Sequence, residues 1–242
     1  MRRSISLFFG WTLFSGSVIA QGSISPAAAQ NADYLSPVKV ELQKKWPANH
    51  TINLVFHGHS VPTGYFRTPE VHTFDSYPYL VLRQLKELYP YAVINVITTS
   101  IGGENSTQGA ARFRKEVLTH RPDVLFIDYA LNDRKIGLAR AKKNVEKMIR
   151  IALRRKIKVI LLTPSADETE SLTTADAPLA RLSEQLKGLA KKYGIGLADS
   201  YDRFKQIRKE KGDIHPYMAQ SNHPNRLGHE LIAGEILRYF QP

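Results

Sequence analysis

Apolar runs of strand length recur along the chain at Ile52 to Phe56, Ala92 to Ile97, Val124 to Tyr129 and Val159 to Leu162, with a shorter one at Gly196 to Ala198. All are rich in Val, Ile or Leu. Between them lie segments with apolar residues at helical spacing: Tyr79 to Leu88, Gln108 to Leu118, Leu138 to Arg155 and Leu179 to Tyr193, with a last one at Leu227 to Phe240. Strands that are apolar on both faces and alternate with helices predict a parallel sheet covered by helices on each side, joined by right-handed crossovers. The fold class read from this pattern is α/β: a three-layer α/β/α, doubly wound (flavodoxin-like) parallel sheet of about five strands in a single domain. The longest irregular stretches, Val61 to Tyr77 and Pro164 to Pro178, are of the length that often carries function. The first holds Arg67, His72, Phe74 and Asp75, the second Asp167, Glu168, Glu170 and Asp176, and either could shape a substrate cleft.

The N-terminus departs from the alternation. Arg2 and Arg3 precede an apolar stretch from Ile5 to Ile19 and a small-residue site at Val18-Ile19-Ala20, the layout of a secretory signal peptide. Ala27-Ala28-Ala29 offers a second cleavage site, so residues 1–29 read as leader, cut after Ala20 or Ala29, residues 30–50 as a polar lead-in and 51–242 as the domain. An uncleaved anchor is the alternative, but the apolar run falls short of the roughly 20 residues that span a bilayer. The expectation is an exported protein, periplasmic or extracellular, with no stable membrane insertion. The chain has no cysteine, which excludes disulfides, thiolate metal sites and cysteine nucleophiles. Its net charge is +12, and +10 once Arg2 and Arg3 are subtracted. That excess suits acidic glycans or an anionic membrane surface, and because export takes the chain away from DNA, no nucleic-acid partner is expected. The densest basic run, Arg140 to Lys158, also carries Ala141, Val145, Met148, Ile149 and Ala152 at helical spacing, so it reads as the solvated face of a helix.

Ligands of open parallel sheets bind beyond the carboxyl ends of the strands. Four segments stand there or before the last helix: His57-Gly58-His59-Ser60, Ser100-Ile101-Gly102-Gly103-Glu104, Ala130-Leu131-Asn132-Asp133 and Asn222-His223-Pro224-Asn225. They supply a hydroxyl, a loop with exposed backbone N–H groups, a neutral side-chain donor and an imidazole, the parts of an acyl-transfer site. Ser60 would attack a carbonyl while His223 takes its proton and returns it to the leaving alcohol. The backbone N–H groups of Ser60 and Gly103 with the Asn132 amide would form the oxyanion hole, where one lost donor costs about 100- to 1000-fold in turnover.

Each residue has a plainer reading. Ser60 is a natural turn or N-cap residue, Asn132 a helix cap and Gly103 a turn former. Asp133 reads as a cap or loop anchor, and His229 as a helix-packing residue. His57 and His59 form a His-x-His at a strand end, which also opens some metal-dependent amidohydrolases. That rival demands an eight-stranded barrel of ~250 residues or more and further ligands after later strands. The chain offers too few strands and no histidine at a later strand end, so no metal or other cofactor is expected. His59 and Asp133 then read as residues lining the cleft. Nucleotide and dinucleotide loops are absent, and Pro62 stands where an α/β-hydrolase elbow has its second glycine.

Together these residues resemble the SGNH hydrolases, the superfamily that includes the GDSL-like esterases and lipases, and the order of its blocks matches along nearly the whole of 51–242. The first block, usually Gly-Asp-Ser, is similar to Gly58-His59-Ser60; the second-block glycine falls on Gly103, the Gly-x-Asn-Asp block on Ala130-Leu131-Asn132-Asp133, and the histidine on His223. Three positions depart: His59 replaces an aspartate, Ala130 a glycine, and Gln220 the triad aspartate three residues before the histidine. A triad acid fixes the histidine's tautomer, and its loss costs about 10⁴-fold. The departure leads to a Ser60–His223 dyad with Gln220, or a backbone carbonyl near it, as orienter; Asp199, Asp202 and Asp213 are substitute acids from elsewhere. The resemblance implies a serine carboxylic ester hydrolase acting on a small-molecule or polysaccharide acyl ester, with acetyl or short acyl esters of carbohydrate expected. A lipid or lysophospholipid acylhydrolase, and a hydrolase-like glycan binder eroded at Gln220, are the alternatives.

Overall fold

A computed structural model describes residues 33–241, so the expected leader lies outside the described residues. Five strands, β1 (Thr51–Gly58), β2 (Val93–Thr98), β3 (Val124–Asp128), β4 (Lys158–Leu162) and β5 (Gly196–Ala198), form one parallel sheet in the order β2-β1-β3-β4-β5. All five apolar runs are strands, and the fold class expected from their alternation is the one observed. The chain steps from β1 to one side for β2 and to the other for β3, so the order reverses between β1 and β3, the switch point beyond whose carboxyl ends ligands of such sheets bind. β1 and β3 are central and almost wholly buried, with Phe56 stacked on Phe126 at 4.2 Å between ring centres. β2 is an edge strand, and its residues are only partly covered.

Helices flank the sheet. α1 (Ser36–Gln43) packs near β1, and a single turn, α2 (Ser60–Thr63), follows that strand. α3 (Tyr77–Leu88) packs against the last helix, α9 (Arg226–Leu237), which also meets α8 (Ser200–Lys211). In the other layer α4 (Ser106–Glu116) packs on α6 (Leu138–Leu153), and α6 on α7 (Pro178–Tyr193). A short turn, α5 (Ala130–Asp133), follows β3, and a two-stranded antiparallel pair, β6 (Met218–Gln220) and β7 (His223–Pro224), precedes α9. Local chemistry sets the ends. Asn105 accepts from Thr107 N (2.9 Å) and Gln108 Oε1 from Asn105 N (3.0 Å), a reciprocal cap that starts α4 beside the β2 loop. α7 begins on Pro178 and stops at Gly194 in the left-handed region (φ 59°).

Two helices escape the periodicity reading. Residues 36–43 fall in the stretch taken as a polar lead-in, yet Leu35, Val38 and Leu42 are buried, at the spacing of one helical face. Each such side chain contributes about 1.5–3 kcal/mol of apolar burial, enough to hold a short helix on the domain. α8 hides in a strongly charged segment whose Tyr201, Phe204 and Ile207 are buried at intervals of three. Among the described residues no helix is long and apolar enough to cross a membrane.

Candidate active site

β1 ends paired with the last residue of β3. Gly58 pairs with Asp128, and a Cβ on Gly58 would stand 2.5 Å from the Asp128 carbonyl oxygen, so only glycine lets the strands close there. The chain then turns at His59, whose Nδ1 accepts the Val61 N–H (3.3 Å) and caps α2, placing Ser60 at the first helical position. Ser60 is almost buried, and its Oγ lies between two imidazoles: 2.9 Å from His223 Nε2 and 3.5 Å from His59 Nδ1.

His223 sits on β7, held by the loop into α9 that Asn225 caps through Gly228 N (3.2 Å). Its Nδ1 lies 3.2 Å from the Phe66 carbonyl oxygen. A carbonyl only accepts, so the Nδ1–H donates to it, leaving the lone pair of Nε2 for the Ser60 hydroxyl proton. That is the tautomer a general base requires. Burial lowers the His223 pKa below the usual histidine value, and nearby His59 adds to this, while the Phe66 bond and Asp167 oppose it.

Gln220 pairs with His223 across β6 and β7, but its side chain makes no hydrogen bond to the imidazole. Its Oε1 accepts the Thr68 N–H (2.9 Å) and its Nε2 donates to Asn222 Oδ1 (3.0 Å), so both ends of the amide are engaged. The orienting carbonyl comes instead from the loop after α2, far away in sequence. That loop folds back on itself through the Tyr65–Val71 bridge and the Phe66 N–Glu70 O bond (3.0 Å), and Phe66 stacks on His72 at 4.2 Å. Arg67 Nε reaches the Ala219 carbonyl (3.1 Å). The substitute acids are occupied elsewhere as well. Asp199 holds Thr163 (2.9 Å) and Lys187 (3.0 Å), Asp202 accepts from Gln206 (2.8 Å), and Asp213 accepts the His215 N–H (3.0 Å).

The oxyanion candidates occupy the strand ends on either side of the nucleophile: Gly103 follows β2 and Asn132 lies in α5 after β3. Gly103 is exposed and has φ 79°, a left-handed conformation that strains any other residue although the space around it is open. Asn132 Nδ2 donates to the Glu104 carbonyl (2.8 Å), tying the two loops together, and its second amide hydrogen stays available to a ligand. Glu104 is itself anchored by Arg112 (2.7 Å) and by the Tyr129 hydroxyl (3.2 Å), a buried brace under the loop that no sequence motif announces.

Two residues read as cleft lining face inward. His59 is 1% exposed; because its Nδ1 accepts, its proton is on Nε2, which faces Asp128 Oδ1 at 3.4 Å, and the Tyr77 hydroxyl donates to Asp128 Oδ2 (3.0 Å). Asp133 is likewise 1% exposed and accepts the Ser106 N–H (2.7 Å) at the start of α4. It is an anchor for the helix beside the oxyanion loop. Burial pushes its pKa up to about 6 against the pull of Ser106 and His59. His57 faces the core, where its Nε2–H donates to the Gly109 carbonyl (3.1 Å) and its Nδ1 accepts from Thr99 Oγ1 (2.9 Å). Burial and then Arg112 push its pKa down to about 3, so it is neutral, and neither nitrogen is left for a metal. His229 is packed between helices, accepting the Tyr77 N–H (3.2 Å).

The loop after β4 is fastened at two places. Asp167 (2.8 Å) and Glu170 (2.5 Å) bind Arg134, just beyond α5, and Glu168 meets His215 (2.7 Å) while its N–H donates to the Ser221 carbonyl (2.7 Å). Phe74 and Asp176 are exposed, and Asp75 pairs with Arg226 (2.9 Å).

A serine on an imidazole at the switch point of a doubly wound sheet defines a class of hydrolase fold. The chain belongs to the GDSL-like lipase/acylhydrolase family, whose family profile matches residues 56–231. Membership places it among carboxylic ester hydrolases. No curated protein sequence matches it. Solved structures match in fold. A two-domain esterase active on acetylated mannans superposes with a TM-score of 0.70 and 21% identity, covering 86% of this chain and 52% of that one, so this chain spans about half its length. An acetylxylan esterase from Geobacillus stearothermophilus superposes with a TM-score of 0.66 and 20% identity, covering 79% of this chain and 94% of that one.

Proposed function

We propose that this protein is an exported serine esterase that removes acetyl or similar short acyl groups from carbohydrate through an acyl-Ser60 intermediate. The observation that carries the proposal is the pair of bonds on His223: Nε2 on Ser60 Oγ at 2.9 Å, and Nδ1 on a carbonyl at 3.2 Å. Ser60 Oγ attacks the ester carbonyl carbon as its proton passes to His223 Nε2. The tetrahedral oxyanion is met by the Ser60 and Gly103 N–H groups and the free hydrogen of Asn132 Nδ2. When the intermediate collapses, the imidazolium returns the proton to the leaving alcohol. Water, deprotonated by the same nitrogen, then attacks the acyl-serine and regenerates the hydroxyl. The Phe66 carbonyl holds the ring but carries no full countercharge, so it supplies only part of the roughly 10⁴-fold that an aspartate gives an evolved triad.

The acetyl-carbohydrate assignment is supported by the two esterases of the same fold, which act on acetylated mannan and xylan. Export is supported by the Arg2-Arg3 start and the apolar run that follows, and places the enzyme in the periplasm or outside the cell. The test is acetate release from p-nitrophenyl acetate and from acetylated xylan and mannan. Ser60→Ala is expected to remove at least about 10³-fold of the rate, consistent with loss of a nucleophile that acts as a unit with its base. Undiminished hydrolysis by Ser60→Ala refutes the acyl-Ser60 route, and a preference for long acyl chains refutes the acetyl assignment.

A further inference from the structure

The residue that stands where a triad acid is expected has both ends of its side chain engaged, yet neither reaches His223. What it holds is the loop that does. Phe66, whose carbonyl receives the His223 Nδ1–H, is two residues before Thr68, whose N–H is bound by Gln220 Oε1 at 2.9 Å. The remaining bonds around Phe66 close the loop on itself: Phe66 N to Glu70 O (3.0 Å), His72 N to Gly64 O (2.7 Å), and the stacking of Phe66 on His72. Two bonds fasten it to β6, and they come from adjacent residues of that strand: Arg67 Nε to the Ala219 carbonyl (3.1 Å), and Thr68 N to Gln220. Only the second uses a side chain of β6. Three residues further along the chain comes His223 itself, so one short segment carries both the base and the clamp on the base's orienter.

We infer that Gln220 is a positioning residue for His223, acting one step removed: it fixes the Phe66 carbonyl in line with Nδ1 by binding the Thr68 N–H. The glutamine is a relocation of the acid's orienting task, passed through a main-chain loop. The amide suits this place for a reason of chemistry. Its oxygen accepts the loop N–H while its nitrogen donates to Asn222 Oδ1 (3.0 Å), which fixes which end of the amide faces Thr68. An aspartate side chain is one carbon shorter and offers no donor to Asn222. Release of the clamp lets the loop move, and a misplacement on the order of 1 Å at a reacting group costs about 100-fold.

This inference rests on the Ser60–His223 reading, and its test separates the two. Gln220→Met keeps the volume and removes the acceptor; Gln220→Glu keeps an acceptor for Thr68 N–H, and its second oxygen is met by the Asn222 amide turned to donate. With p-nitrophenyl acetate, Gln220→Met is expected to lose about 100-fold in kcat with KM changed less than about threefold, while Gln220→Glu keeps kcat within about threefold of the parent. The same proteins give a readout that needs no activity. The ¹⁵N-bound proton of His223 Nδ1, protected by the Phe66 carbonyl, is expected in the NMR spectra of the parent and Gln220→Glu, and lost to exchange with water in Gln220→Met. Parent-like kcat and a persisting Nδ1 proton in Gln220→Met overturn the inference, as does a Gln220→Glu variant as impaired as Gln220→Met. Absence of the Nδ1 proton from the parent spectrum also overturns it. Activity surviving in Ser60→Ala instead overturns the catalytic reading, and leaves the NMR comparison to decide the clamp by itself.

Discussion

Replacing Asp133 by Asn is expected to stabilise the protein at neutral and alkaline pH and to leave it unchanged in acid. The carboxyl is 1% exposed and its pKa is raised by burial from 3.8 to about 6. A group with a higher pKa folded than unfolded binds more protons in the native state, so stability falls as pH rises between the two values. The shift of 6 less 3.8, about 2.2 units at 1.36 kcal/mol each, makes the stability lost over that interval about 3 kcal/mol. It is fully present below about pH 4 and gone above about pH 6. Asparagine is uncharged throughout, and its Oδ1 can still accept the Ser106 N–H that Asp133 accepts at 2.7 Å. The parent-minus-variant difference should therefore follow a single titration. In a protein of this size 3 kcal/mol corresponds to roughly 6–12 °C in Tm. Thermal melts of both proteins at about half-unit pH intervals from about 4 to 8 measure it. Two parallel curves, or a variant less stable at about pH 8, would refute the reasoning, because either requires the native Asp133 carboxylate to be better solvated than its burial allows.

The lowered His223 pKa, caused first by burial, has a kinetic signature: the base is neutral and competent to lower pH than an ordinary histidine, so the acid limb of kcat/KM should inflect below 6.5. A pH–rate profile on p-nitrophenyl acetate checks this, and an inflection at or above 6.5 contradicts it. Arg134→Met strips the cation from Asp167 and Glu170, whose side chains are only 5% and 14% exposed. The expected loss is about 2–3 kcal/mol in urea denaturation at neutral pH, and an unchanged midpoint speaks against a structural ion pair there.

The sheet was legible chiefly because its inner strands, β1, β3 and β4, are buried on both faces. Val124–Asp128 and Lys158–Leu162 carry almost nothing but Val, Ile, Leu and Phe, and such runs mark themselves. α1 was not, since three buried residues, Leu35, Val38 and Leu42, are diluted by charged neighbours and lie next to a polar stretch. α8 was lost for the same reason: Tyr201, Phe204 and Ile207 sit in a segment dominated by Arg, Lys and Glu. At the site, side chains with a chemical role could be read from their positions at strand ends, and Ser60 and His223 do meet. The direction of a side chain could not be read: His59 stands beside Ser60 as expected but is buried, and Asp133 is the buried anchor of the Ser106 N–H that its plainer reading implied. Nor could Phe66 be found, because its contribution is a carbonyl that every residue possesses.

That last point has a consequence for how the protein can change. A side-chain acid is erased by one nucleotide change in its codon, whereas the acceptor at position 66 belongs to the main chain and survives almost any replacement of Phe66 itself. Vulnerability is thereby moved from a single codon to the course of the loop. Substitutions at 66 that keep the backbone path should be tolerated, while an insertion or deletion anywhere between Gly64 and His72, innocuous in most surface loops, would take the carbonyl away from His223.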